Sequence, residues 1–222
     1  MTEGISGKSG RRRSGKQRLT RDGILSAAQE LVDGAGVPAL TMRSLAVHID
    51  ADPSAVYRHF RNKDALLGAL ADAAIAEVTG PGAPAPDADW EDVLRETASR
   101  LRDLVRRRPG LAVIVAGAPA TADTISATAE ILQLMRVAGI SPGTAEKGLA
   151  AVLAYVLGFG VIEANPPAPA GSTDLTADAA GALRVWLPRP EERDRQFIDG
   201  LDLILATLKA AAKPEPSHGK GS

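Results

Sequence analysis

The residues best placed to do chemistry in this 222-residue chain lie in one short stretch, Asp52-Pro53-Ser54-Ala55-Val56-Tyr57-Arg58-His59-Phe60. Asp52 can cap a helix whose first position is Pro53, where the missing N–H costs nothing. On that helix Val56 and Phe60 form an inner face, while Pro53, Ser54, Ala55, Tyr57, Arg58 and His59 look outward. An outward face that is small, aromatic or cationic suits base edges and phosphates in a groove. A face meant only for solvent would carry more Glu and Lys. Other chemistries find little in the chain. It has no Cys and only three His (His48, His59 and His218), so neither a disulfide framework nor a Cys- or His-based metal site is expected. It shows no nucleophile–base pair, no phosphate-binding glycine loop and no metal-ligand spacing. Gly158-Phe159-Gly160 falls inside a helical stretch rather than after a strand. The expectation is a protein that is not an enzyme and needs no cofactor or metal.

The elements that must position this face are helical. Apolar residues recur at helical spacing, and no alternating strand pattern rich in β-branched or aromatic residues is present. The expected class is all-α. Thr20 can cap a first helix with Ile24, Ala27, Ala28, Leu31 and Val32 on one stripe, ended by Gly34 and Gly36. Thr41 caps a second, short helix with Met42, Leu45, Ala46 and Ile49 inward, and Asp50-Ala51 makes a tight connection to the third. Asn62-Lys63-Asp64 breaks and restarts the chain into a fourth helix from about Asp64 to Val78. Two short helices joined by a tight turn, at 41–49 and 52–60, outline a helix-turn-helix whose second helix would enter the major groove. The same outline also fits an ordinary helical hairpin.

Charge is distributed unevenly. Residues 1–21 carry Lys8, Arg11, Arg12, Arg13, Lys16, Arg18 and Arg21 against Glu3 alone, although the whole chain has a net charge of −1. A basic end on an acidic body is an electrostatic footprint at one pole, or else a solvated tail. Residues 1–17 read as a disordered basic arm, with Arg11-Arg12-Arg13 able to reach a minor groove. Residues 213–222 read as a disordered tail. Residues 1–20 contain no signal-peptide-like apolar run, and the stretch Leu149–Ile162 is short for a bilayer span. A cytoplasmic protein without a membrane partner is expected.

The segment LTRDGILSAAQELVDGAGVPALTMRSLAVHIDADPSAVYRHFRNKDALLGAL resembles the DNA-binding head of the tetracycline-repressor (TetR) family over residues 18–78. Its most specific piece is VYRHFRNKDALLGAL, and ILSAAQELVDGAG and LTMRSLAVHI support it. The resemblance implies roles for matching positions. Thr41 and Arg43 would touch backbone phosphate, Ser54, Ala55 and Arg58 would face bases, and Tyr57 and His59 would pack against or donate to phosphates. Lys63 would add a charge-assisted phosphate contact, and Arg58 could equally grip a phosphate. One position departs from the pattern: the turn commonly holds Gly in the family, and here it is Asp50, which can adopt a left-handed conformation at some cost.

Thr79–Ala88 is rich in Pro and Gly and marks the expected domain boundary. Beyond it, apolar-striped segments at about 89–107, 110–117, 121–138 and 142–164 precede a Pro-rich stretch, 165–190, read as a long loop, and a last helix at 191–212. RQFIDGLDLILATLKA is similar to the closing helix of a TetR-type body, which implies a dimerisation and ligand-binding domain over 89–212. Ala150, Ala151, Ala154, Gly158 and Gly160 would let helices approach closely, and the last two helices could pair with a symmetry mate or simply close the monomer core. Candidate pocket residues are Trp90, Leu94, Leu101, Leu104, Val113, Ile125, Leu132, Met135, Leu153 and Phe159, any of which could equally be plain core. Arg106-Arg107-Arg108 reads as the end of a helix complementing its dipole, or as a second DNA patch. Together these readings point to a dimeric repressor that binds a palindromic DNA operator and is released by a small hydrophobic effector. The alternative is an architectural DNA-binding protein without an effector.

Overall fold

The computed structural model describes residues 19–80, 82–164 and 190–212; the expected basic arm, the loop at 165–189 and the C-terminal tail lie outside the described residues. The described residues form nine α-helices, two 3₁₀ turns and no strand. Each of the first four helices starts where a side chain can take the orphaned N–H groups of its first turn. Helix α1 (Arg21–Ala35) is capped by Thr20, whose hydroxyl accepts from Gly23 N, and ends at Gly36 with φ +77°. A 3₁₀ turn at Val37–Ala39 leads to α2 (Met42–His48), where Thr41 and Ser44 make a reciprocal capping box. Asp52 caps α3 (Pro53–Tyr57), and Asn62 caps α4 (Lys63–Thr79).

The third helix is shorter than its sequence pattern. His59 N and Phe60 N both bond to Val56 O, so the last turn tightens and the helix stops at Tyr57. Phe60 must turn inward, where it is buried with the Arg21 guanidinium 5.0 Å above its ring. Arg58 and His59 therefore lie just past the helix proper.

Five further helices build the body: α5 (Trp90–Arg107), α6 (Gly110–Gly117), α7 (Ala122–Val137), α8 (Pro142–Ala164) and α9 (Arg193–Ala210). Helix α5 is capped by Asp89 and α7 by Thr121. Helix α8 packs on α5, α6, α7 and α9, and its 23 residues extend well beyond the Leu149–Ile162 stretch. By length and composition alone it is apolar enough to cross a membrane; one side is instead buried through Ala145, Gly148, Val152, Val156 and Gly160.

The boundary after Thr79 separates the sequence patterns, but α4 packs on both sides of it, against α1 and against α5, α6 and α7. Its buried residues Leu66, Gly68, Ala69, Leu70, Ala71, Ala74 and Val78 run almost all round the helix, which is the signature of an element covered on more than one face. Head and body also touch directly, because a Cβ on Gly110 of α6 would lie 2.3 Å from Val32 Cγ1 of α1.

Candidate nucleic-acid interface and body cavity

Helices α1 to α4 hold the outward face on a buried core. Leu45, Ala46, Val56 and Leu66 are wholly inaccessible to solvent, and Phe60 nearly so. Between α2 and α3 the chain reverses at Asp50, the one non-glycine described residue with positive φ, at +50°. Asp50 thus adopts the left-handed conformation its position requires. Asp50 N bonds to Val47 O and Ala51 N to Ala46 O, which closes the turn. Ser54 N bonds to Asp52 Oδ1 at 2.8 Å and starts α3.

On this scaffold Arg43, Ser54, Tyr57, Arg58 and His59 are exposed, Ala55 is half-buried, and Tyr57 retains 52% of its surface. Exposed Val47 lies on the same pair of helices and was not singled out by its residue type. Two expected phosphate contacts sit differently. The Thr41 hydroxyl is engaged in the capping box with Ser44, whose own hydroxyl continues to Ala39 O at 2.8 Å. The Lys63 ammonium donates to Val37 O at 3.1 Å and ties the start of α4 to the 3₁₀ turn. An ammonium has three donors, so Lys63 keeps others for solvent or phosphate. His48, which no motif marked, pairs with Glu30 at 3.2 Å and joins α2 to α1.

The body holds an apolar cavity of about 390 Å³. Three of the expected pocket residues line it: Leu101 from α5, Leu132 from α7 and Leu153 from α8. The remainder do not. Leu94, Leu104 and Met135 are core residues at 1%, 1% and 0% exposure, Trp90 is buried and lines a separate recess of about 390 Å³ at the start of α5, and Val113 and Ile125 face outward. Phe159 belongs to an aromatic cluster with Tyr155 and Phe197. The wall that the sequence reading missed comes from α4, through Ile75, Val78 and Thr79. The same helix that closes the head therefore closes the cavity. Asp72 of α4 accepts hydrogen bonds from Thr121 and, at 2.9 Å, from Thr124, and Thr124 itself lines the cavity.

A second polar centre lies behind Phe159. Arg102 donates to both oxygens of Glu163, at 2.8 and 2.6 Å, and to Asp194 at 2.8 Å. Its guanidinium lies 4.5 Å from the Phe197 ring centre and 5.2 Å from that of Phe159. Burial disfavours the charged guanidinium, but the bonds and charges of Glu163 and Asp194 outweigh it and raise the Arg102 pKa further above its ordinary value. The Arg106-Arg107-Arg108 run is engaged within the chain: Arg107 pairs with Glu77 of α4 at 2.9 Å and Arg106 with Asp103 at 3.6 Å.

The outward side of α8 is apolar and small. Ala151, Ala154, Gly158, Val161 and Ile162 are all exposed there, and Leu203 of α9 is 72% exposed. The glycines divide. A Cβ on Gly160 would lie 2.5 Å from Val105 Cγ1, and one on Gly148 would lie 2.2 Å from Leu208 Cδ2, so both serve packing inside the chain. Among the described residues, a Cβ on Gly158 meets nothing within 4 Å. Of the small residues expected to permit close approach, Gly160 faces its own α5, while Ala151, Ala154 and Gly158 face out.

The profile described as "Bacterial regulatory proteins, tetR family" matches residues 24–70, and that described as "Tetracyclin repressor-like, C-terminal domain" matches residues 83–212. The chain is 32% identical over 197 residues to the tetracycline repressor protein class A from transposon 1721 of Escherichia coli, covering 86% of this chain and 91% of that one. Among solved structures, a TetR variant from Acinetobacter baumannii AYE in complex with minocycline matches with a TM-score of 0.68 and 28% identity, over 88% of this chain and 99% of the other. BioQ with its natural double-stranded DNA operator matches with a TM-score of 0.62 and 27% identity, over 86% of this chain and 99% of the other. With its helix-turn-helix head, its larger helical body and matches that span both, the chain belongs to the TetR family of bacterial transcriptional regulators.

Proposed function

We propose that the protein is a dimeric repressor that binds a palindromic operator through α2 and α3 and releases it when a small apolar molecule enters the body cavity. The observation that carries this reading is the double duty of α4. Leu66 and Leu70 pack in the head core while Ile75, Val78 and Thr79 wall the cavity, so anything that displaces the wall pulls on the head. A ligand can shift the equilibrium only by binding the released form more tightly. In that scheme Ser54, Ala55 and Arg58 address bases, and Arg43, Tyr57 and His59 address phosphates. Thr41 and Lys63 act first as positioning residues, fixing the start of α2 and α4.

Dimerisation would proceed through the outward faces of α8 and α9. The space that the described residues leave around Gly158 and the exposed Leu203 support that face as one that a second copy covers. An isologous four-helix interface there would set two recognition helices about 34–36 Å apart, as successive half-sites require.

The test of the coupling is a cavity-filling variant, Ala127→Trp, since Ala127 lines the cavity. Operator affinity measured by fluorescence anisotropy is expected to change at least about fivefold, the low end of allosteric coupling energies, with the oligomeric state unchanged. Unchanged affinity would sever the cavity from the head.

A further inference from the structure

The cavity wall offers acceptors and almost no donors. Four threonines line it, and three have their hydroxyl protons engaged: Thr79 donates to Ile75 O at 3.0 Å, Thr128 to Thr124 O at 2.8 Å and Thr124 to Asp72 at 2.9 Å. No Lys, Arg or His stands on the wall. The one charged lining residue is Glu146 of α8, which among the described residues makes no hydrogen bond or ion pair. The remainder is mostly aliphatic, including Leu101, Leu149 and Leu153.

We infer that the ligand of this cavity is an apolar molecule bearing a single protonated amine, with the amine on the Glu146 carboxylate at the rim. The inference rests on the reading of the cavity as the effector site and names the class of molecule it takes. A neutral apolar ligand would leave the exposed rim carboxylate to water and gain nothing from it. An anion would meet that charge with no cation on the wall to offset it. An ammonium supplies the donors the wall lacks, and its bond to a carboxylate is of the stronger, charge-assisted kind. The volume of about 390 Å³ falls in the range of pockets that take drug-sized molecules.

The experiment uses the full chain and three probes of one shape that differ only in head group: phenylbutylamine, phenylbutanol and phenylbutyrate. Calorimetric titration is run on the native protein and on Glu146→Gln, an exposed position whose exchange leaves the core intact. The amine is expected to bind about tenfold tighter than the alcohol, the worth of one charge-assisted hydrogen bond, with the carboxylate weakest. Glu146→Gln should bring the amine to the level of the alcohol. If alcohol and amine bind alike, or the amine's preference survives Glu146→Gln, the inference is overturned while the cavity stands as a ligand site. If none of the three binds, the reading of the cavity as a ligand site falls, and this inference with it.

Discussion

At the scale of single residues, the turn between α2 and α3 shows how a local exception is tolerated. Asp50 holds φ +50°, a region that costs most side chains about 1–2 kcal/mol but is open to Asp and Asn. Asp50→Val should therefore lower unfolding stability by about 1–2 kcal/mol, whereas Asp50→Gly should melt no lower than the native chain. Thermal denaturation of the two variants side by side decides it; equal losses in both would mean that the carboxylate, not the backbone, matters. Tyr57 tests function separately from fold. Half its surface is exposed and its neighbours Val56 and Phe60 carry the packing, so Tyr57→Ala should weaken DNA binding while leaving the melting temperature nearly unchanged. Tyr57 was legible in the sequence, because the cap at Asp52 and the inward pair Val56 and Phe60 fix which side of α3 faces out, whereas the left-handed turn at Asp50 was legible only through the resemblance. The engagement of Lys63 with Val37 O was not legible. It links positions 26 residues apart, and no local pattern reports such a contact.

At the scale of elements, helix starts were the readable part and the early end of α3 was not. Thr20, Thr41 and Asp52 announce their helices through side-chain acceptors, a local chemistry. The end of α3 is set instead by the need to bury Phe60. The cavity was the least legible feature. A stripe of apolar residues says that a helix face is covered, but whether neighbours fill the space or leave a gap depends on all the helices at once. Hence Leu101, Leu132 and Leu153 line the cavity while Leu94 and Leu104 on α5 and Met135 on α7, equally apolar, are core. The Arg102 cluster is likewise an inter-element feature, joining α5 to the end of α8 and the start of α9. Removing its cation should be expensive. Arg102→Met leaves Glu163, only 7% exposed, without its partner, and is expected to destabilise the chain by about 3–5 kcal/mol. Adding Glu163→Gln should recover part of that loss, because the stranded charge is gone. Denaturant titration that shows the double variant no better than the single would place the cost in lost packing against Phe159 and Phe197 instead.

At the scale of the whole molecule, the division of the glycines gives a direct handle on assembly. At Gly158 an added Cβ meets no atom of the described residues within 4 Å, and Glu is a better helix former than Gly, so Gly158→Glu should leave the monomer at least as stable as before. The same side chain would stand between two copies paired through α8, and sedimentation should then report a monomer. A Gly158→Glu dimer would move the interface elsewhere. Sequence-specific DNA binding by a pair of heads is tested by fluorescence anisotropy at fixed salt. DNA flanking the protein's own gene is compared with scrambled DNA of equal length, for the native chain and for Tyr57→Ala. The native chain is expected to prefer the flanking DNA by at least about 10³-fold, the lower bound of specific recognition, and Tyr57→Ala to lose most of that preference. Equal binding of flanking and scrambled DNA by the native chain would contradict it, leaving a protein that holds DNA by its phosphates alone.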